Sequence, residues 1–105
     1  MKNTPSPQIE NLLAKVKESV ESGNYIIRAH ALIRLNEREI SVKDTLYVLA
    51  HGYHEKQKTS YDLAYKTWKY AIRGKTGDGL DIRVIIAFVE KMAIITVIRL
   101  KKRRT

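Results

Sequence analysis

A histidine, two arginines and a carboxylate recur at helical spacing between residues 25 and 41: His30, Arg34, Glu37 and Arg38. Wound at about 100° per residue, they fall within roughly one-third of the circumference, while Ala31, Leu32 and Leu35 point the other way. A histidine titrates near neutrality and can serve as general base or general acid. Arginine forks match the oxygens of a phosphate. A helix face carrying both is suited to holding and cleaving a phosphodiester. The same spacing equally suits a solvated face on which Arg34 and Glu37 pair at i, i+3, a contact worth only about 0.2–0.5 kcal/mol. Both readings stay open at the level of this stripe.

The elements that must position the stripe follow from the rest of the chain. At 105 residues and 12.1 kDa the sequence reads as one domain over 1–105, with 1–6 and 100–105 expected to be flexible ends. A hydrophobic content of 44% with 30% charged residues fits a globular protein. Cysteine is absent, which excludes disulfides and thiolate metal sites and points to a reducing cytoplasm. His30, His51 and His54 lack a zinc-ligand spacing, so neither a metal nor another cofactor is expected. No apolar run approaches the roughly 20 residues of a membrane span, so no membrane partner is expected. Net charge is +9 and the pI about 9.9, which favours a polyanionic partner: nucleic acid first, an acidic protein second. Five of those charges sit in Arg99, Lys101, Lys102, Arg103 and Arg104, leaving +4 on everything before them. The terminal four read as a sequence-independent phosphate anchor.

Ser6 can cap a first helix with Pro7 at its first position. Ile9, Leu12, Leu13, Val16 and Val20 then give an apolar stripe, and Gly23-Asn24 a stop. Residues 25–28 read as a short extended link to the second helix, residues 29–38. Ser41-x-x-Asp44 is a capping box variant that opens a third, with Val42, Leu46 and Leu49 inward and Gly52 past its end. His51 suits a helix-terminal cation. After Gly52 the period changes from 3.6 to 2. Residues 53–59 are polar and weakly strand-like; residues 65–74, 80–89 and 92–99 read as strands, with a turn at 75–79. The apolar character of both faces in the last strands makes them interior to the sheet. The fold class is therefore α+β: N-terminal helices packed on one face of a three- to four-stranded antiparallel sheet.

Strand phase sets Lys69, Arg73 and Arg83 towards the face or end of the sheet that the helices leave open, as RNA-binding cations. Metal-free RNA cleavage uses this inventory. The 2′-OH attacks the adjacent phosphorus, a base takes its proton, an acid protonates the leaving 5′ oxygen, and cations stabilise the phosphorane. Tyr65, Trp68 and Tyr70 are candidates for stacking on splayed bases, although Trp68 and Tyr70 also fit a core.

The run His30-Ala31-x-x-Arg34-Leu35-x-Glu37-Arg38-x-Ile40-Ser41, with a short helix and Gly52 after it, resembles a family of small bacterial domains of unknown function. That family is grouped with the RelE-like toxins, in the wider barnase/EndoU/colicin/RelE ribonuclease superfamily. Ile95-Thr96-Val97-Ile98 is similar to its last strand. The resemblance implies a helical half on a four-stranded antiparallel sheet, and a metal-independent endoribonuclease of a toxin–antitoxin system. Its partners would be RNA, free or on the ribosome, and a cognate antitoxin. It implies catalytic roles for His30, Arg34, Arg38 and Thr96, with Glu37 in structural support. A non-catalytic RNA- or ribosome-binding module of the same fold is the alternative. Glu39 stands where the family often has Gly, so a left-handed helix end must be adopted there at some cost.

Overall fold

Ser41 shows how local sequence sets an element here. Its hydroxyl accepts the Asp44 N–H at 2.9 Å, and its carbonyl accepts the Thr45 hydroxyl at 3.0 Å, so that a polar side chain is buried without an unmet hydrogen bond. In the computed structural model, which describes residues 5–100, the order is α1 (Leu12–Ser22), β1 (Tyr25–Ile27), α2 (Ala29–Glu37), α3 (Val42–His51) and β2 (Tyr53–His54). A single 3₁₀ turn at Lys56–Lys58 precedes β3 (Ser60–Asp62), β4 (Thr67–Lys75), β5 (Asp81–Val89) and β6 (Lys91–Arg99).

The fold is α+β, with three helices and a mixed sheet among the described residues. The sheet order is β1-β6-β5-β4-β2, with β3 also paired to β4. Two expectations are corrected. The sheet has six strands instead of three or four, and it is not wholly antiparallel, because β1 pairs parallel to β6 through Tyr25–Met92, Ile26–Ala93 and Ile27–Ile94. Residues 25–28, read as a link, supply that strand. A three-residue strand is too short to show a period, and its parallel pairing to β6, with Tyr25 and Ile27 half-buried, makes it extended. Residues 53–59 likewise divide into β2 and the 3₁₀ turn, ahead of β3. β5 and β6 are interior to the sheet, as their apolar faces required.

The first helix begins at Leu12, not at Pro7. Residues before it are held by tertiary hydrogen bonds: the Trp68 indole donates to the Ser6 carbonyl at 2.6 Å, and the Ile9 N–H donates to the Tyr70 hydroxyl at 2.9 Å. Those contacts outcompete a local cap worth about 1 kcal/mol. One core joins Leu12 and Val16 of α1, Ala31 and Leu35 of α2, and Val48 and Leu49 of α3 to alternate residues of the long strands. Leu13, Leu32 and Val42, expected inward, are exposed, since each helix has one packing surface and a narrow stripe fills it. Between Ile85 and Ile86 the β5–β6 register shifts, so that Ile85 faces Thr96 and Ile86 faces Ile94. The extra residue, Ile95, lets Ile94 and Val97 both reach the core although three positions apart. Gly52 is not a left-handed stop. Its backbone is extended, and a Cβ there would lie 2.5 Å from the Arg73 carbonyl oxygen, so glycine is what lets α3 end against β4.

Candidate functional site

α2 is fixed at both ends. The Arg28 N–H donates to the Ile94 carbonyl at 3.1 Å, which ties the start of the helix to β6. At the other end the Ile40 N–H returns to the Leu35 carbonyl, and Glu39 takes φ 55°, the left-handed turn that the sequence anticipated. Arg38 is half-buried; its Nη1 donates to the Val97 carbonyl at 2.6 Å, and Arg99 Nη1 donates to the Arg38 carbonyl at 3.1 Å. This arginine therefore docks the helix onto β6, one residue from Thr96. Arg34 Nη1 donates to Glu37 Oε1 at 3.0 Å, with side-chain exposures of 34% and 54%. His30 is exposed, and no hydrogen bond, ion pair or ring contact holds it among the described residues. The stripe thus separates into an outward part, His30 with the Arg34–Glu37 pair, and an anchoring part, Arg38.

Lys69, Arg73, Arg83 and Thr96 share the other face of the sheet. Lys69 and Arg73 alternate with the core residues Tyr70 and Ile72, Arg73 pairs with Arg83, and Ala71 pairs with Ile85, which pairs with Thr96. Among the described residues, no hydrogen bond or ion pair joins any of these four to His30. Lys69 Nζ lies 3.6 Å from Asp62. Arg73 and Arg83 are engaged by carboxylates. Arg73 makes a two-pronged contact with Asp81 at 3.2 and 2.8 Å, and Arg83 one with Glu55 at 2.7 and 3.1 Å. Arg73 Nη1 also reaches Glu55 at 3.2 Å. Two cations and two carboxylates make a locally neutral cluster.

The pairing acts on both sides of the cluster. Hydrogen bonds from Arg83 first, then from Arg73, hold the Glu55 carboxyl below the usual range, against the opposing effect of burial. Arg73 does the same for Asp81, and both guanidinium pKa values rise. Glu55 was not foreseen as a site residue. The available signal was two arginines in strand phase with only Asp81 beside them on the strands, which left one half-buried carboxylate to be found.

The aromatic candidates part company. Tyr70 is buried and Trp68 packs against the core with its ring stacked on Tyr70, whereas Tyr65 sits in the turn before β4 and is 81% exposed. His51, exposed at the end of α3, rests on the Tyr47 ring at 4.4 Å. His54 Nε2 shares a hydrogen bond with the Thr59 hydroxyl at 2.8 Å, and burial, with help from Lys56, lowers its pKa. Lys101, Lys102, Arg103 and Arg104 lie outside the described residues. Among the described residues, no group of three or more His, Cys, Asp or Glu could hold a metal ion, and no helix is long and apolar enough to cross a membrane.

Comparison with known proteins gives one family. The family described as a domain of unknown function (DUF4258) matches residues 27–99, more than half of the chain. No curated protein matches it.

Proposed function

The chain belongs to this DUF4258 family of unknown function, and we propose that it is a toxin-type, metal-independent endoribonuclease. The observation that carries the reading is the outward part of α2. His30 and Arg34 are one helical turn apart on an exposed face, and the helix beneath them is pinned to β6 at Arg28 and Arg38. In this reading His30 transfers a proton to or from the reacting ribose oxygens, and Arg34 binds the phosphate as charge builds on it. Arg38 fixes the helix against the strand that carries Thr96, and Glu37 orients Arg34. The bond that forms joins the 2′ oxygen to phosphorus, the bond that breaks releases the 5′ oxygen, and the product end is a 2′,3′-cyclic phosphate. The reading includes the RelE-like arrangement, with helices on one sheet face and RNA across the other. It also includes a cytoplasmic address, RNA free or on the ribosome as substrate, and a cognate antitoxin as the neutralising partner.

A second reading, an RNA- or ribosome-binding module without catalysis, has its own support. No contact orients the His30 ring among the described residues, and Glu55 and Asp81 occupy Arg73 and Arg83. Incubating the full chain with single-stranded RNA in a chelator separates the two. Cleavage to cyclic phosphate ends, lost in His30→Ala, supports the enzyme. Salt-dependent binding without cleavage supports the module.

A further inference from the structure

The sheet face turned away from the core holds a cleft of about 380 Å³ that includes neither His30 nor Arg34. Its volume lies in the range of small-ligand sites, about 300–1,000 Å³. Ala87, Val89 and Ile95 contribute apolar surface to it, and Arg28, Tyr65, Lys69 and the Asp62 carboxylate line it as well. We propose that this cleft binds one unstacked nucleotide of single-stranded RNA, its base against Tyr65 and the apolar surface, its phosphates against Arg28 and Lys69. The proposal rests on RNA being the ligand of this protein, and not on RNA being cut.

Tyr65 is the reason to look here. The residue is 81% exposed, yet its backbone is held: the Tyr65 N–H donates to Asp62 Oδ1 at 3.1 Å, and Lys66 beside it takes φ 53°, a left-handed turn unfavourable to a side chain. The turn keeps an aromatic ring in solvent, where it adds little to folding stability. The same Asp62 lies 3.6 Å from Lys69 Nζ, so one carboxylate organises both the ring and a cation. Arg28 completes the set. Its backbone is fixed to Ile94, and its guanidinium has no carboxylate partner among the described residues. An uncompensated arginine, a lysine and a bare aromatic face around apolar surface match a base and its flanking phosphates. Stacking on an aromatic side chain accepts any base, and a duplex, whose bases are already stacked on one another, cannot offer one.

The test uses the full chain and a labelled single strand with 2′-O-methyl riboses, which binds but cannot be cut. Tyr65→Ala is expected to weaken binding about tenfold and Tyr65→Phe to restore it, with melting temperatures unchanged. Arg28→Ala should lower the slope of log affinity against log salt by about 0.7. The matching duplex should be insensitive to Tyr65→Ala. Unchanged binding of the single strand by Tyr65→Ala overturns the proposal, as does a duplex that loses as much. So does an acidic peptide that displaces the strand and itself depends on Tyr65, which would reassign the cleft to a protein partner. Wild type that binds the strand through Tyr65 but leaves ordinary RNA uncut retires cleavage and keeps the cleft. Wild type that cuts RNA while Tyr65→Ala cuts and binds equally well does the reverse. Wild type that binds no strand overturns both.

Discussion

Glu37 and Glu55 each accept hydrogen bonds from arginine, at 3.0 Å from Arg34 in one case and at 2.7 Å from Arg83 in the other, and the resemblance ends at that distance. Glu37 and Arg34 sit on the outside of α2, three residues apart on one turn, both open to water. Glu55 and Arg83 are 28 residues apart in sequence and are 11% and 14% exposed, with Arg73 and Asp81 closing the cluster. Water screens the first pair, so its contribution is a few tenths of a kcal/mol and its charges stay available to a ligand. The second cluster was desolvated when the protein folded. Its attraction offsets that penalty only while every member is present. The difference separates charges that can serve chemistry from charges that hold β2, β4 and β5 together.

The largest expected effect is on the outward face. His30→Ala should lower RNA cleavage by about two orders of magnitude, the usual loss for a general acid or base, and move the melting temperature little because the ring is exposed. Single-turnover cleavage checks the first part and calorimetry the second; full activity in the variant would end the catalytic assignment of α2.

Next in size is the inner cluster. Glu55→Ala leaves Arg83 without its carboxylate and removes one of two from Arg73. It should cost about 2 kcal/mol, below the 3–5 typical of fully buried pairs because Arg73 keeps Asp81 and is one-third exposed. For a domain of this size that is a drop of about 10 °C in melting temperature. A variant that melts with wild type would show that water replaces the carboxylate at no cost.

Acid acts on the same cluster. The folded protein holds Glu55 and Asp81 below their ordinary pKa values of 4.5 and 3.8, so the unfolded chain binds protons first as pH drops. Their stabilisation is present in full above about pH 5 and is lost as pH falls through the lowered folded values. His54, whose pKa is lowered by burial and by Lys56, has the same sign and starts its loss below about pH 6.5. Melting curves from pH 7 to 3 should therefore fall less steeply below pH 5 for Glu55→Gln than for wild type. Parallel curves would contradict the assignment.

The relation between sequence and structure runs along the same division. α2 and α3 were legible because period and capping are local: Ser41 caps α3 as its spacing required, and Glu39 adopts the left-handed turn expected of it. The long strands, and the shared sheet face of Lys69, Arg73 and Arg83, were legible from period two. What was not legible depends on contacts far apart in sequence. β1 is extended because β6 is beside it, α1 starts late because Trp68 and Tyr70 hold residues 6–9, and Glu55 gains its meaning from Arg83. The helical stripe also concealed a difference that only tertiary contact reveals, since Arg38 docks on Val97 while His30 faces outward.

Two smaller changes sharpen the picture. Glu39→Gly removes a strained left-handed side chain, a relief partly offset by the greater freedom of glycine in the unfolded chain, and should stabilise by about 0.5 kcal/mol. The melting temperature should rise by about 2–4 °C, and a fall would mean that the Glu39 side chain makes a contact of value. Glu37→Ala should do least to the fold, lowering melting by about 1–4 °C at most, since the exposed pair is worth about 0.2–0.5 kcal/mol. A shift as large as that of Glu55→Ala would erase the distinction between the two pairs.

The most direct test measures melting and single-turnover RNA cleavage on the same preparations of wild type, His30→Ala and Glu55→Ala. The predicted result is a crossing: His30→Ala melts like wild type and cleaves about a hundredfold more slowly, while Glu55→Ala melts about 10 °C lower and its folded fraction cleaves normally. The contradictory result is the reverse crossing, with His30→Ala destabilised but active once folded and Glu55→Ala stable but inactive.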